Sequence, residues 1–285
     1  ARQRIVSQMK KAYEEGMIKE SPEKYEALLT VSSGYQILAD CRFVIECTLE
    51  DPLIKKSVFE KVEAVIAEDA YLTTNTSAIP ISDLQKFTRV PGRFYGLHWM
   101  IPAHTTRFLE VICGDQSDMA GAEWLYKLAH QWAKEPTLLR KDIRGFINNR
   151  LMYAMYREAF FLVENGYATV EDIDRAARNG PGYWLTMMGI FRWMDLTGIP
   201  AYHAVMKELF PTLANSAEVP ELIDRIVREG GKGVLNGHGF YEYTPEEARC
   251  WQEGYDAFSF ELRKLALKYP VDYAEQKLKE NTASE

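Results

Sequence analysis

The sequence predicts an α/β unit built on a parallel, doubly wound sheet and followed by an all-α unit. Three observations carry that expectation. Short β-rich runs alternate with amphipathic helical stretches through the first half, the pattern of a parallel sheet covered on both faces. Strand signals stop after about Asp142, and the remainder has helical spacing. At 285 residues the chain can bury a sizeable core and reads as two domains or one large one. The composition shift near residues 141–145 sets the expected domains at 1–141 and 142–285.

The elements follow in order. Residues 1–15 are polar and basic, with helical spacing at Ile5, Met9 and Tyr13. Residues 41–48 (CRFVIECT) form a β-rich run, and residues 52–66 place Ile54, Val58, Val62 and Ile66 on one helix face. Strand character returns at 71–76, and Ser82-x-x-Gln85 has the spacing of a capping box opening a short helix. Strands are expected at 94–99, 108–113 and 137–140, with a helix at 119–134. In the second half, 146–164 reads as a long amphipathic helix. Thr169-x-x-Asp172 caps another that reaches Arg178 and meets the turn residues Asn179-Gly180-Pro181-Gly182. Further helices are expected at 185–196, 201–210, 221–229 and 245–268, with a non-helical element at 239–243. The last ten residues are expected to fray.

Composition narrows the function. Apolar residues at 47% and charged residues at 26% are ordinary for a globular protein. A net charge of −7 without a basic stripe argues against a nucleic-acid partner. Cys41, Cys47, Cys113 and Cys250 form no CxxC pair and no zinc spacing, so no metal is expected and a reducing cytoplasm is the natural setting. No apolar run approaches a membrane span, and no secretory signal opens the chain.

The informative pair is His98 and Glu110. His98 ends one apolar run, and Glu110 is the lone acid inside the next (FLEVICG). A fold-back of the chain brings them together. The acid then orients the imidazole and stabilises its protonated form, as a general base requires. An unpaired carboxylate in so apolar a run is costly, so a partner is expected. The other candidates are weaker alone: Ser77 reads as turn chemistry, Asn149 is ambiguous beside Asn148, and Lys55-Lys56 reads by default as a solvated helix face.

Taken in order, Val44-Ile45-Glu46, Glu50, Lys55-Lys56, Asn75-Thr76-Ser77, His98-x-x-x-Pro102, Glu110-Val111, Lys141-Asp142-x-x-Gly145-Phe146-x-x-Asn149-Arg150 and Gly237-His238-Gly239-Phe240-Tyr241 resemble the 3-hydroxyacyl-CoA dehydrogenase superfamily. The resemblance spans residues 40–243 and implies a Rossmann-type domain, a helical dimerisation domain and an active site in the cleft between them. It implies NAD as cofactor and a small-molecule 3-hydroxy substrate, a 3-hydroxyacyl-CoA first. His98 is then the general base, Glu110 its partner, and Ser77 and Asn149 hydrogen-bond the reacting oxygen or nearby substrate groups. Glu50, Lys55 and Ser77 fall on the cofactor side. A homodimer through the helical half is implied, with Phe160–Val163 and Phe191–Leu196 as the contact.

Three departures stand out. The chain contains no G-x-G-x-x-G run, so the chain reads as lacking the first βαβ portion, about forty to fifty residues. Ile101 stands where the family has Asn, and Leu235 where many relatives carry Lys. Two alternatives therefore stay open. One is the same chemistry on a CoA-free alcohol (a small hydroxy acid, a pyridine or sugar acid, or a carnitine-like compound), which calls for a buried cation such as Arg107, Arg144 or Arg192. The other is a scaffold that has lost cofactor binding.

Overall fold

The computed structural model describes residues 2–282 and divides the chain into two compact units, Ala1–Phe146 and Ile147–Glu285. The first unit holds α1 (Arg2–Glu14), α2 (Pro22–Glu26), β1 (Phe43–Glu46), α3 (Pro52–Glu63), β2 (Tyr71–Thr74), α4 (Ile81–Gln85), β3 (Phe94–Trp99), β4 (Leu109–Cys113), α5 (Met119–Gln131) and β5 (Thr137–Leu139). Its five-stranded sheet runs in sequence order, β1 to β5. β1–β2, β2–β3 and β4–β5 pair in parallel.

One pair departs from the expected parallel sheet: β3 and β4 are antiparallel. The connection, residues 100–108, holds no helix. A parallel crossover needs about a dozen residues or more, whereas an antiparallel return does not.

Strand alternation sorts the side chains into two cores. On one face Val44, Leu72, Phe94 and Ile112 pack with Phe59 and Val62 of α3, Ile81 and Leu84 of α4, and Phe146. On the other, Tyr95, Leu97, Leu109, Val111 and Cys113 pack with Ala122, Leu125 and Ala129 of α5. The sheet is thus covered on both faces, a Rossmann-type arrangement. Gly96 is required on the first face: a Cβ there would lie 2.7 Å from Ile81 Cδ1 and 2.9 Å from Ile112 Cδ1.

Caps set several boundaries. Asp51 accepts hydrogen bonds from the Leu53 and Ile54 amides at the start of α3, and Asp118 accepts one from Ala120 at α5. The capping box expected at Ser82 is absent. Ser82 lies inside α4, and its amide and hydroxyl donate to Asp142 instead.

The second unit is helical: α6 (Asn148–Glu164), α7 (Val170–Asn179), α8 (Pro181–Leu185), α9 (Ile190–Thr197), α10 (Ile199–Leu209), α11 (Glu221–Arg228), α12 (Pro245–Lys268) and α13 (Tyr273–Thr282). α6 starts later than its periodicity predicts because Gly145 and Phe146 hold φ of 79° and 53°, which no right-handed helix accommodates. Thr169 accepts from the Asp172 amide to cap α7, and Thr244 and Glu247 form a reciprocal capping box on α12. Within the last ten residues, where fraying is expected, the chain is helical through Thr282, with Gln276 bonded to Asp272 and Lys277 paired with Glu280. Residues 283–285 lie outside the described residues. Among the described residues no helix is long and apolar enough to cross a membrane.

Candidate active site

The antiparallel pairing of β3 with β4 sets His98 directly opposite Glu110, so both side chains leave the sheet on one face. His98 Nδ1 lies 2.7 Å from Glu110 Oε2. Glu110 is fully buried and His98 is 6% exposed. Glu110 in its ionised form is an acceptor, so Nδ1–H donates to it and Nε2 is left as the basic nitrogen. The rings of Phe108 and Phe146 stand 5.8 and 5.6 Å from the imidazole and wall it with apolar surface. Phe146 does so from its left-handed backbone conformation, a strained geometry for a bulky residue that surrounding structure must hold.

The neighbouring strand ends carry the polar residues. Asn75, just past β2, accepts through Oδ1 from the Trp99 amide at 3.0 Å, tying the carboxyl ends of β2 and β3 together. Glu50 Oε1 accepts from the Thr76 hydroxyl at 2.6 Å and from the Ser77 and Ala78 amides at 2.9 and 3.1 Å. Lys55 is no solvated residue. It is fully buried on α3, with Nζ 3.0 Å from Glu46 Oε2 and 3.6 Å from Glu50 Oε2. Burial pushes the Glu46 carboxyl up, but hydrogen bonds from Thr48, Thr74 and Lys55 outweigh it and hold the group below the usual carboxylate range. Glu50 behaves alike: burial raises it, while Thr76, the Ala78 and Ser77 amides and Lys55 bring it below its ordinary value.

Six residues were singled out by sequence. His98, Glu110, Glu50, Lys55 and Ser77 belong to the first unit, at or next to the carboxyl ends of β1, β2 and β3. Asn149 lies in the first turn of α6, in the second unit. Sequence reasoning gave no role to Glu46, Asn75, Thr76, Phe108 or Phe146. The available signals were the acid closing the apolar run FVIE and the Asn-Thr-Ser triplet after a strand. Of the three arginines weighed as buried cations, Arg107 is half-buried beside Glu135 at 3.6 Å, and Arg144 and Arg192 are exposed. Ile101, at the tip of the β3–β4 connection, is 83% exposed.

These side chains fit the nicotinamide and ribose side of a dinucleotide. Hydroxyl-binding carboxylates, an ammonium group and an exposed Ser77 gather where the strands of a parallel sheet end, the usual ligand edge of such sheets. A Rossmann-type unit with a buried His–Glu pair, joined to a helical unit, defines the class of two-domain nicotinamide-dependent dehydrogenases. Comparison with known families resolves it further. Residues 1–143 match the NAD-binding domain of 3-hydroxyacyl-CoA dehydrogenase, and residues 145–243 match the C-terminal domain of the same family. The chain belongs to the 3-hydroxyacyl-CoA dehydrogenase family, whose members are NAD-dependent oxidoreductases acting on CH–OH groups.

Two curated relatives are similar over most of the chain. The chain is 32% identical over 209 residues to 5-formyl-3-hydroxy-2-methylpyridine 4-carboxylate 5-dehydrogenase of Mesorhizobium japonicum, covering 73% of this chain and 68% of the relative. It is 31% identical over 245 residues to 3-hydroxybutyryl-CoA dehydrogenase of Mycobacterium tuberculosis, covering 85% of each. Among solved structures, an NAD-dependent dismutase with the same pyridine-carboxylate dehydrogenase activity superposes with a TM-score of 0.80 at 29% identity, over 83% of this chain and 76% of that one.

Proposed function

We propose that this chain oxidises the secondary alcohol of a 3-hydroxyacyl-CoA to the ketone, with His98 as general base. The observation carrying this reading is the 2.7 Å contact between His98 and the buried Glu110. NAD, when bound, supplies the hydride acceptor. His98 Nε2 takes the hydroxyl proton as the C–H bond breaks, and Glu110 stabilises the imidazolium that results. Phe108 and Phe146 keep water from the ring and strengthen that electrostatic help. Ser77 hydrogen-bonds the reacting oxygen or nearby substrate groups, while Glu50, with Lys55 buried beside it, serves the ribose side of the cofactor. The helical unit pairs with a second copy, and four free cysteines suit a reducing cytoplasm.

The test is NADH formation with 3-hydroxybutyryl-CoA, wild type against His98→Gln. Gln keeps an N–H toward Glu110, whereas Ala strands a buried carboxylate at a cost of about 3–5 kcal/mol. Turnover is expected to fall by about two to four orders of magnitude with the melting temperature retained. A His98→Gln enzyme at wild-type rate removes His98 from the mechanism.

A second reading, a small CoA-free alcohol, draws on the TM-score of 0.80 to the pyridine-carboxylate enzyme. The same assay with a hydroxymethylpyridine carboxylate decides between the two by kcat/KM.

A further inference from the structure

Glu46 closes β1 on the same sheet face as Val44, a buried position where apolar side chains are the rule. Instead the fold buries a carboxylate there at 3% exposure and surrounds it with donors. Oε1 accepts from the Thr48 hydroxyl at 2.5 Å, from the Thr48 amide and from Lys55 Nζ at 3.1 Å. Oε2 accepts from Thr74 at 2.6 Å and from Lys55 at 3.0 Å.

A buried ion pair seldom stabilises a fold more than apolar residues of the same volume. Lys55 adds a further cost, because it sits near the N-terminus of α3, where the helix dipole disfavours a cation. The arrangement therefore gains position rather than stability. What it positions is visible in the next contact: Lys55 reaches Glu50 Oε2 at 3.6 Å, and the other oxygen of Glu50 holds Thr76, Ser77 and Ala78.

We propose that Glu46 is a positioning residue that sets the Ser77 turn through Lys55 and Glu50. By binding the ammonium with both oxygens, Glu46 keeps Lys55 at arm's length from Glu50. Without that hold, the ammonium has Glu50 as its remaining counter-ion and draws Oε2 toward itself. The carboxylate then rotates off the Ser77 and Ala78 amides, and the turn loosens. The consequence for turnover rests on the function proposed above; the consequence for the turn does not.

The experiment is Glu46→Gln, followed by amide hydrogen exchange and steady-state kinetics. Exchange at Ser77 and Ala78 is expected to quicken by about tenfold, with Leu97 and Val111 in β3 and β4 unchanged. KM for NAD or alcohol rises by about fivefold, and the pH dependence of kcat keeps its wild-type form. Wild-type protection at Ser77 and Ala78 overturns the proposal. So does a loss of protection spread evenly over the sheet, which marks a purely structural role. Should Glu46→Gln fail to fold, Thr48→Val removes a single hydroxyl donor from Oε1 and leaves the 76–78 turn untouched, and it gives the same pattern at smaller amplitude, or refutes it. A wild-type enzyme without NAD-dependent turnover sinks the proposed function, yet the exchange data still decide the role of Glu46.

Discussion

Glu110 is buried in the middle of an apolar strand, and His98 is the group its contact orients. Replacing it by Gln keeps an acceptor for Nδ1–H but removes the charge that stabilises the imidazolium. Turnover of Glu110→Gln is expected to drop about a hundredfold or more, measured as single-turnover NADH formation at saturating substrate. An unchanged rate means that the carboxylate charge is irrelevant to the chemistry. Glu50 and Glu46 carry a different consequence. Both carboxyls titrate below their ordinary value of 4.5 in the folded protein, so the unfolded chain binds protons first on acidification. Their stabilisation is fully present above that value and is lost as pH falls through the depressed folded values. The Ser77 turn is expected to loosen below about pH 4.5, read as amide exchange at Ser77 and Ala78. The pair His98–Glu110 was legible in the sequence because an acid inside an apolar run demands a partner. The Glu46–Lys55–Glu50 cluster was not: Lys55 beside Lys56 on an amphipathic helix reads as solvated, and its burial depends on a partner nine residues earlier on another element.

At the scale of elements, the β3–β4 pair explains why the site lies where it does. The antiparallel return puts a strand-end histidine opposite a mid-strand acid, whereas a parallel crossover would send β4 out through a helix first. Gly96, two residues before His98 on the same face, lets α4 and β4 close over β3. Gly96→Ala is expected to destabilise the first unit by about 1–3 kcal/mol through overpacking, measured as a shift in urea midpoint at constant m-value. An unshifted midpoint means that Ile81 and Ile112 move aside at no cost. Periodicity located β3 and α12 and found the other strands and most of the long helices to within a few residues. It missed what local pattern does not encode. The reversal of β4 follows from a short connection, the late start of α6 from two positive φ values, and the lost cap at Ser82 from Asp142, sixty residues away in sequence. α2 is five residues long, too short for a periodic signal, and the polar tail sequence hid α13.

Buried apolar side chains are distributed unequally between the two units. The first unit has two well-filled cores on either side of its sheet. In the second, α6 to α11 contain no buried residue among those described, and the buried apolar side chains beyond Phe146 are Ala248 and Phe260 of α12. Meanwhile Tyr153 and Tyr156 of α6 and Phe191 and Leu196 of α9 are exposed, Phe191 at 80%. Of the contact expected from sequence, Phe160 through Val163 are half-buried within their own unit, with the Phe160 ring 5.7 Å from Phe240. The outward residues of α6 and α9 are therefore better placed to meet a partner. Helices must bury an apolar stripe against something, and a second copy would do this with one self-complementary surface. Light scattering of the purified chain is expected to give about twice its 32.8 kDa mass at micromolar concentration. The double substitution Phe191→Asp and Leu196→Asp is expected to give a monomer, because two carboxylates buried at the centre of an interface each cost several kcal/mol, about enough together to lose a micromolar dimer. A wild type that stays monomeric at that concentration, or a double variant that still dimerises, removes this face as the dimer contact.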